Sequence, residues 1–159
     1  MDRERLLKQA KAKAAKFCST RERAPAQVLD KLLDWELSEE EAQSILAELM
    51  NERFVDEERF CLAFCHDKFE FNRWGKNKIK QELFRFRLPE QVVQTGLDNI
   101  NPNRYENVLK DLAEKKWNSI HSEKDQWVRK QKTTAYLLQK GFEMDLSIEI
   151  VSSLSDAVQ

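Results

Sequence analysis

Four apolar residues recur in this chain at two fixed offsets. Leu32, Leu37, Leu46 and Leu49 fall on Leu83, Leu88, Leu97 and Ile100 when shifted by 51 residues, and on Leu137, Phe142, Val151 and Leu154 when shifted by 105. Every one of these positions is large and apolar in a sequence that is only 41% hydrophobic. Helical periodicity supplies some of the matches, but the step of five from Leu32 to Leu37 spans a helix end and is less generic. A tandem repeat of about 50 residues is the best account. A unit of that size buries a core poorly by itself, so neighbouring units are expected to stack into an elongated, curved helical body.

Within each repeat the apolar spacing is helical and predicts three helices. In the first, Leu6, Leu7, Ala10, Ala14 and Phe17 mark one helix; Val28, Leu29, Leu32 and Leu33 mark a second, opened by Pro25. A capping box at Ser38 and Glu41 starts the third. The second repeat begins at Asp56 as N-cap and runs through Phe60, Ala63, Phe64 and Phe69. Its next helix follows Gly75 with Ile79, Leu83 and Phe84, and Pro89 opens the last. The third repeat opens at Asn101-Pro102, and its second helix carries Trp127, Val128, Ala135, Tyr136, Leu137 and Leu138 after a cap within Ser122–Asp125. Gly141 sits where a left-handed residue ends that helix, with Phe142 folding back. The expected domains are 1–53, 54–101 and 102–159, all-α throughout.

Composition supports this class. Glycine and proline number three each, and charged residues make up 35% of the chain, which favours amphipathic helices over an all-β fold or disorder. No apolar run approaches the roughly 18 residues needed to span a bilayer, and the basic N-terminal stretch has no hydrophobic core of a secretory signal. Cys18, Cys61 and Cys65 show no disulfide framework and are read as reduced thiols in a cytoplasmic protein. The net charge of −1 hides segregation. Residues 1–23 hold eight bases against three acids (+5), residues 34–58 hold ten acids against Arg53 (−9), and residues 73–87 hold six bases against Glu82 (+5).

Catalytic chemistry is poorly represented. The histidines are His66 and His121, and no glycine-rich phosphate loop or nucleophile setting is present. Cys61 and Cys65 lie one helical turn apart, but His66 points some 100° away and no fourth ligand is suggested, so buried thiols are the favoured reading over a metal site. No cofactor is expected.

The most informative stretch runs from Phe54 to Leu83. In it and just beyond, Arg73, Lys76, Lys78, Lys80, Arg85 and Arg87 interleave with Trp74, Phe84 and Phe86. Bases with aromatics suit a phosphate-backbone contact with base stacking. The competing reading puts Trp74, Ile79 and Leu83 in a core, with lysines on its wet face.

This stretch resembles the signature of the RecX family, bacterial regulatory proteins that act on the RecA recombinase. The pattern is carried by Phe54, Val55, Asp56, Glu57, Glu58, Arg59 and Phe60, then Gly75, Lys78, Ile79, Glu82 and Leu83, with Lys115-Lys116 and Leu137 to Gly141-Phe142 later. The resemblance covers nearly the whole chain. Cys61 stands where the family usually has Ala. Glu36 and Arg87 stand where repeats often place a glycine, so those helix ends are expected to close differently. The resemblance implies a non-enzymatic, cytoplasmic, monomeric regulator that binds the RecA–single-stranded DNA filament and depresses its ATP hydrolysis, strand exchange and coprotease activity. The candidate contacts to recombinase or DNA are Asp56, Arg59, Arg73, Lys76, Lys78, Lys80, Arg85, Lys115 and Lys116. Two alternatives stay open: a DNA-binding protein of trihelical modules, and a helical protein-interaction scaffold.

Overall fold

Helix starts in this chain follow from side chains that take up the amides a first turn leaves unpaired. Asp2 accepts from the Glu4 amide, Ser38 from Glu41, Asp56 from Arg59, Asn101 from Arg104, and Asp125 from Trp127 and Val128. Glu41 returns a bond to the Ser38 amide at 2.9 Å, completing the expected capping box. Pro25 and Pro102 occupy first-turn positions, as expected.

The computed structural model describes residues 2–157. Among them are nine α-helices and no strand: α1 (Arg3–Ser19), α2 (Pro25–Asp34), α3 (Glu39–Asn51), α4 (Glu57–Glu70), α5 (Lys76–Leu83), α6 (Glu90–Asp98), α7 (Pro102–Ser119), α8 (Gln126–Gln139) and α9 (Met144–Ala157). A 3-10 turn, Phe84–Phe86, follows α5. The helices fall into three successive sets of three. Of the repeated positions, Leu32, Leu83 and Leu137 are at most 1% exposed, while Leu88 and Leu154 are only half-buried.

Packing gathers these elements into two compact units, and the boundary runs through the second set. One unit takes the chain up to Phe64 together with Leu83–Gly96. In it α1, α2 and α3 pack pairwise around Ala14, Val28, Leu32, Ala42 and Leu49. Phe86 packs edge-on to Phe60 and Phe64, at centroid distances of 4.9 and 5.4 Å. The other unit takes Cys65–Glu82 and the chain from Leu97 onward. There α7, α8 and α9 pack pairwise, and Tyr105 lies between the rings of Phe69 and Phe142. Cys18, Cys61 and Cys65 are buried as thiols.

Three expectations are corrected. Phe84, expected in the core, is 88% exposed. The chain tightens after Leu83 into a 3-10 turn, in which residues three apart eclipse, so Leu83 and Phe86 share the inner side and Phe84 is turned out. In α8, Trp127 and Ala135 are exposed, and the buried stripe instead runs Arg129, Thr133, Leu137. The Arg129 guanidinium donates to the Trp117 carbonyl from Nε (3.1 Å) and Nη2 (2.8 Å) and lies 3.9 Å from the Trp117 ring centroid. Its charge therefore sits against the negative C-terminal end of α7 and an indole face. Finally, Glu36 and Arg87 do not avoid the glycine conformation: their φ angles are 61° and 53°. Arg53 and Arg73 do the same at 63° and 55°. These ends close in the left-handed region without glycine, at roughly 1–2 kcal/mol each.

Candidate functional site

The basic segment is held in place by a contact between two glycines. Gly75 precedes α5 and Gly141 follows α8, where it adopts the expected left-handed conformation, with φ at 99° and the Phe142 amide returning to the Leu137 carbonyl. The backbones approach so closely that a Cβ on Gly75 would overlap the Gly141 carbonyl group and the Phe142 nitrogen. A Cβ on Gly141 would overlap Lys78. This approach lets the end of α8 cap the start of α5. The Gly75 amide donates to the Lys140 carbonyl (2.8 Å) and the Asn77 amide to the Gly141 carbonyl (2.9 Å). The Lys76 amide donates to the Tyr105 hydroxyl (2.9 Å), which in turn donates to Glu143. Burial, and then the Glu143 contact, push the Tyr105 phenol well above its ordinary pKa, so it stays a donor.

Cations collect around Trp74 as a result. The ammonium groups of Lys68 and Lys78 lie 5.0 and 4.6 Å from the indole centroid. Lys140 reaches back and donates to the Asn72 carbonyl at 2.9 Å. Burial lowers the Lys140 pKa, and repulsion from Lys78 and Arg73 adds to the effect, so the three positive charges feel one another. Arg73 is tied by Nη1 to Asp111 at 2.5 Å, and Lys115 reaches the same carboxylate at 3.2 Å. Those two bonds, Arg73 first, hold the Asp111 carboxyl below its usual range.

The other candidate residues go elsewhere. Lys76 lies over the Tyr105 ring (5.1 Å) and Lys116 over the Tyr136 ring (5.3 Å). Lys80 is exposed on α5. Arg85 stacks on Phe86 at 4.7 Å in the first compact unit. Asp56 caps α4. Arg59 pairs with Glu22 at 2.7 Å and donates to the carbonyls of Arg53 and Phe54, so its visible work is to close the α3–α4 turn. Within the second compact unit the structure brings Arg73, Lys78 and Lys115 near one another through Lys140 and Asp111, while Asp56, Arg59 and Arg85 belong to the first unit. It adds Lys68, Asp111 and Lys140, which the segment pattern did not single out. Lys140 is 66 residues from Trp74 in sequence, and only the neighbouring Gly141 hinted at its position.

Among the described residues, no group of three or more His, Cys, Asp or Glu side chains is arranged to hold a metal ion, and no helix is long and apolar enough to cross a membrane.

Comparison with known proteins gives three successive family matches. The first three-helix domain of RecX matches residues 10–49, the second residues 56–97 and the third residues 105–151. The regulatory protein RecX of Clostridium tetani (strain Massachusetts / E88) is 28% identical over 133 residues, covering 83% of this chain and 61% of that protein. That of Clostridium perfringens (strain 13 / Type A) is 28% identical over 128 residues, covering 80% and 59%. This chain therefore spans about three-fifths of the length of these curated relatives. The crystal structure of RecX from Lactobacillus salivarius superposes with a TM-score of 0.86 at 20% identity, covering 93% of this chain and 96% of that one.

Proposed function

Because the chain belongs to the RecX family, with all three domains matched in order, we propose that it binds the RecA–single-stranded DNA filament and depresses the recombinase's ATP hydrolysis, strand exchange and coprotease function. It acts in the cytoplasm as a monomer and without catalysis of its own. The observation that carries the reading is the coincidence of this three-domain match with a rigidly mounted cationic face on α5, its preceding turn and the end of α8. A filament offers both DNA phosphates and repeated protein surface. Tandem domains engaging it add weak contacts through effective concentration.

The experiment is a titration of the full chain into its cognate recombinase on single-stranded DNA, following ATP turnover. Turnover is expected to fall progressively to a plateau. Unchanged turnover at saturating protein, with no binding to the filament, refutes the proposal. The clustered cations also favour a second reading, direct DNA binding through trihelical modules. A formal net charge of −1 and a pI near 6.2 weigh against DNA as sole partner. The second reading requires naked DNA to be bound as tightly as recombinase-coated DNA.

A further inference from the structure

We infer that Lys140 and Lys78, with Arg73 and Lys68 beside them, form a cradle for the phosphodiester backbone of a nucleic acid, built around Trp74. The inference rests on the filament reading and names the component of the filament that this face meets. It concerns one compact unit only, since residues 65–82 and those from 97 onward belong together.

Three observations converge. First, the charges are gathered in one place: burial loosens the Lys140 proton most, and Lys78 and then Arg73 stand near enough for their repulsion to add to it. A fold that forces like charges together in this way creates a local positive potential suited to a polyanion. Second, the two central ammonium groups are positioned by neutral groups. Lys78 rests on the Trp74 indole and Lys140 on the Asn72 carbonyl, contacts that orient a charge without neutralising it. Arg73, by contrast, shares the Asp111 carboxylate with Lys115. Third, the frame is stiff, because the Gly75–Gly141 approach and its amide bonds fix the end of α8 against the start of α5.

The role of Trp74 differs from the base-stacking expectation. Two ammonium groups lie over its ring, so the indole orients cations that meet phosphates. Contact of this kind positions a strand and carries no sequence information, which suits a protein that must act on any stretch of filament.

The test uses the full chain and a fluorescein-labelled oligo-dT, with binding followed by anisotropy over a salt series. Lys140→Gln and Lys78→Gln are each expected to weaken binding and flatten the slope of log K against log salt by about 0.7, the value for one phosphate contact on a single strand. Lys140→Arg is expected to keep the slope. Thermal melts by circular dichroism confirm that each variant is folded, and the two sites are tested independently. An unchanged slope in both folded glutamine variants overturns the inference. So does loss of binding to DNA-free recombinase with oligo-dT binding intact, which assigns the face to acidic protein surface. A comparable flattening on a duplex of the same length supports a backbone site indifferent to strand number. If the wild-type chain leaves ATP turnover untouched while the slopes flatten, the filament reading fails and the cradle stands. If turnover falls but the slopes hold, only the cradle fails.

Discussion

Gly75→Ala is the smallest change that tests how the basic segment is mounted. Gly75 does not have a positive φ, so alanine has no intrinsic backbone objection, and the whole effect comes from one methyl group. That methyl group meets the Gly141 carbonyl and the Phe142 nitrogen, both backbone atoms that no rotamer change can move. Either the two backbones stay together and carry the overlap, or α5 withdraws from the end of α8. Overpacking of this sort costs about 1–3 kcal/mol. Withdrawal gives up the bonds from the Gly75, Lys76 and Asn77 amides, at about 1 kcal/mol net each. The cheaper route sets the cost, about 1–3 kcal/mol, or a fall of about 2–12 °C in Tm for a chain of this size. Thermal melts by circular dichroism read the stability, and hydrogen exchange at the Lys76 and Asn77 amides reads the local opening. A melting temperature within about 1 °C of wild type, with both amides still protected, would refute the argument that the glycine contact holds the segment.

Two further outcomes follow from local geometry. Glu36 is exposed and ends α2 with φ at 61°, so Glu36→Gly is expected to relieve left-handed strain and raise stability by about 1 kcal/mol, seen as a higher urea midpoint at constant m; a lower midpoint contradicts it. Glu41 is held at a pKa of about 2, below its ordinary 4.5, chiefly by hydrogen bonding from Arg3 and then by the Ser38 amide. A depressed carboxyl contributes stability that is complete above the unfolded pKa and is lost as pH falls from about 4.5 through 2. Glu41→Gln is therefore expected to melt below wild type at pH 7, with the gap closing across that window. A gap that persists unchanged at pH 2 argues against the Arg3 pairing.

Helix identity and most caps were legible because their causes are local. Asp56, Ser38 with Glu41, Pro25, Asn101-Pro102 and the Gly141-Phe142 closure each depend on residues within a turn or two, and each occurs as expected. What escaped were events decided by distant chain. Nothing near Gly75 reveals that its missing Cβ serves the approach of Gly141, or that Lys140 thereby arrives beside Lys78. Phe84 looked like core because helical spacing was carried one residue too far, past the point where α5 tightens. Glu36 and Arg87 looked unable to close as glycine does because side-chain preference is outweighed by the turn each makes, with its amide returning to the carbonyl three residues back.

The candidate site shows why a repeat can acquire such a feature. The offsets of 51 and 105 also align Ala24 with Gly75 and Arg129, and Val28 with Ile79 and Thr133. With Leu32, Leu83 and Leu137 they form one buried stripe, spaced four residues apart, at the second helix of every repeat. The last position of the stripe is always leucine, and the first has drifted most. Alanine at 24 is fully buried in the first repeat. Glycine at 75 removes the side chain and admits another helix end, which brings Lys140 to the basic segment. Arginine at 129 extends the side chain to the Trp117 carbonyl and gives α7 a charged cap. In the middle copy this position sets how closely the second helix approaches its neighbour. Because only the middle copy carries glycine there, only the middle copy gains a lysine from the third repeat, and the phosphate cradle follows from that substitution more than from the surface charges around it.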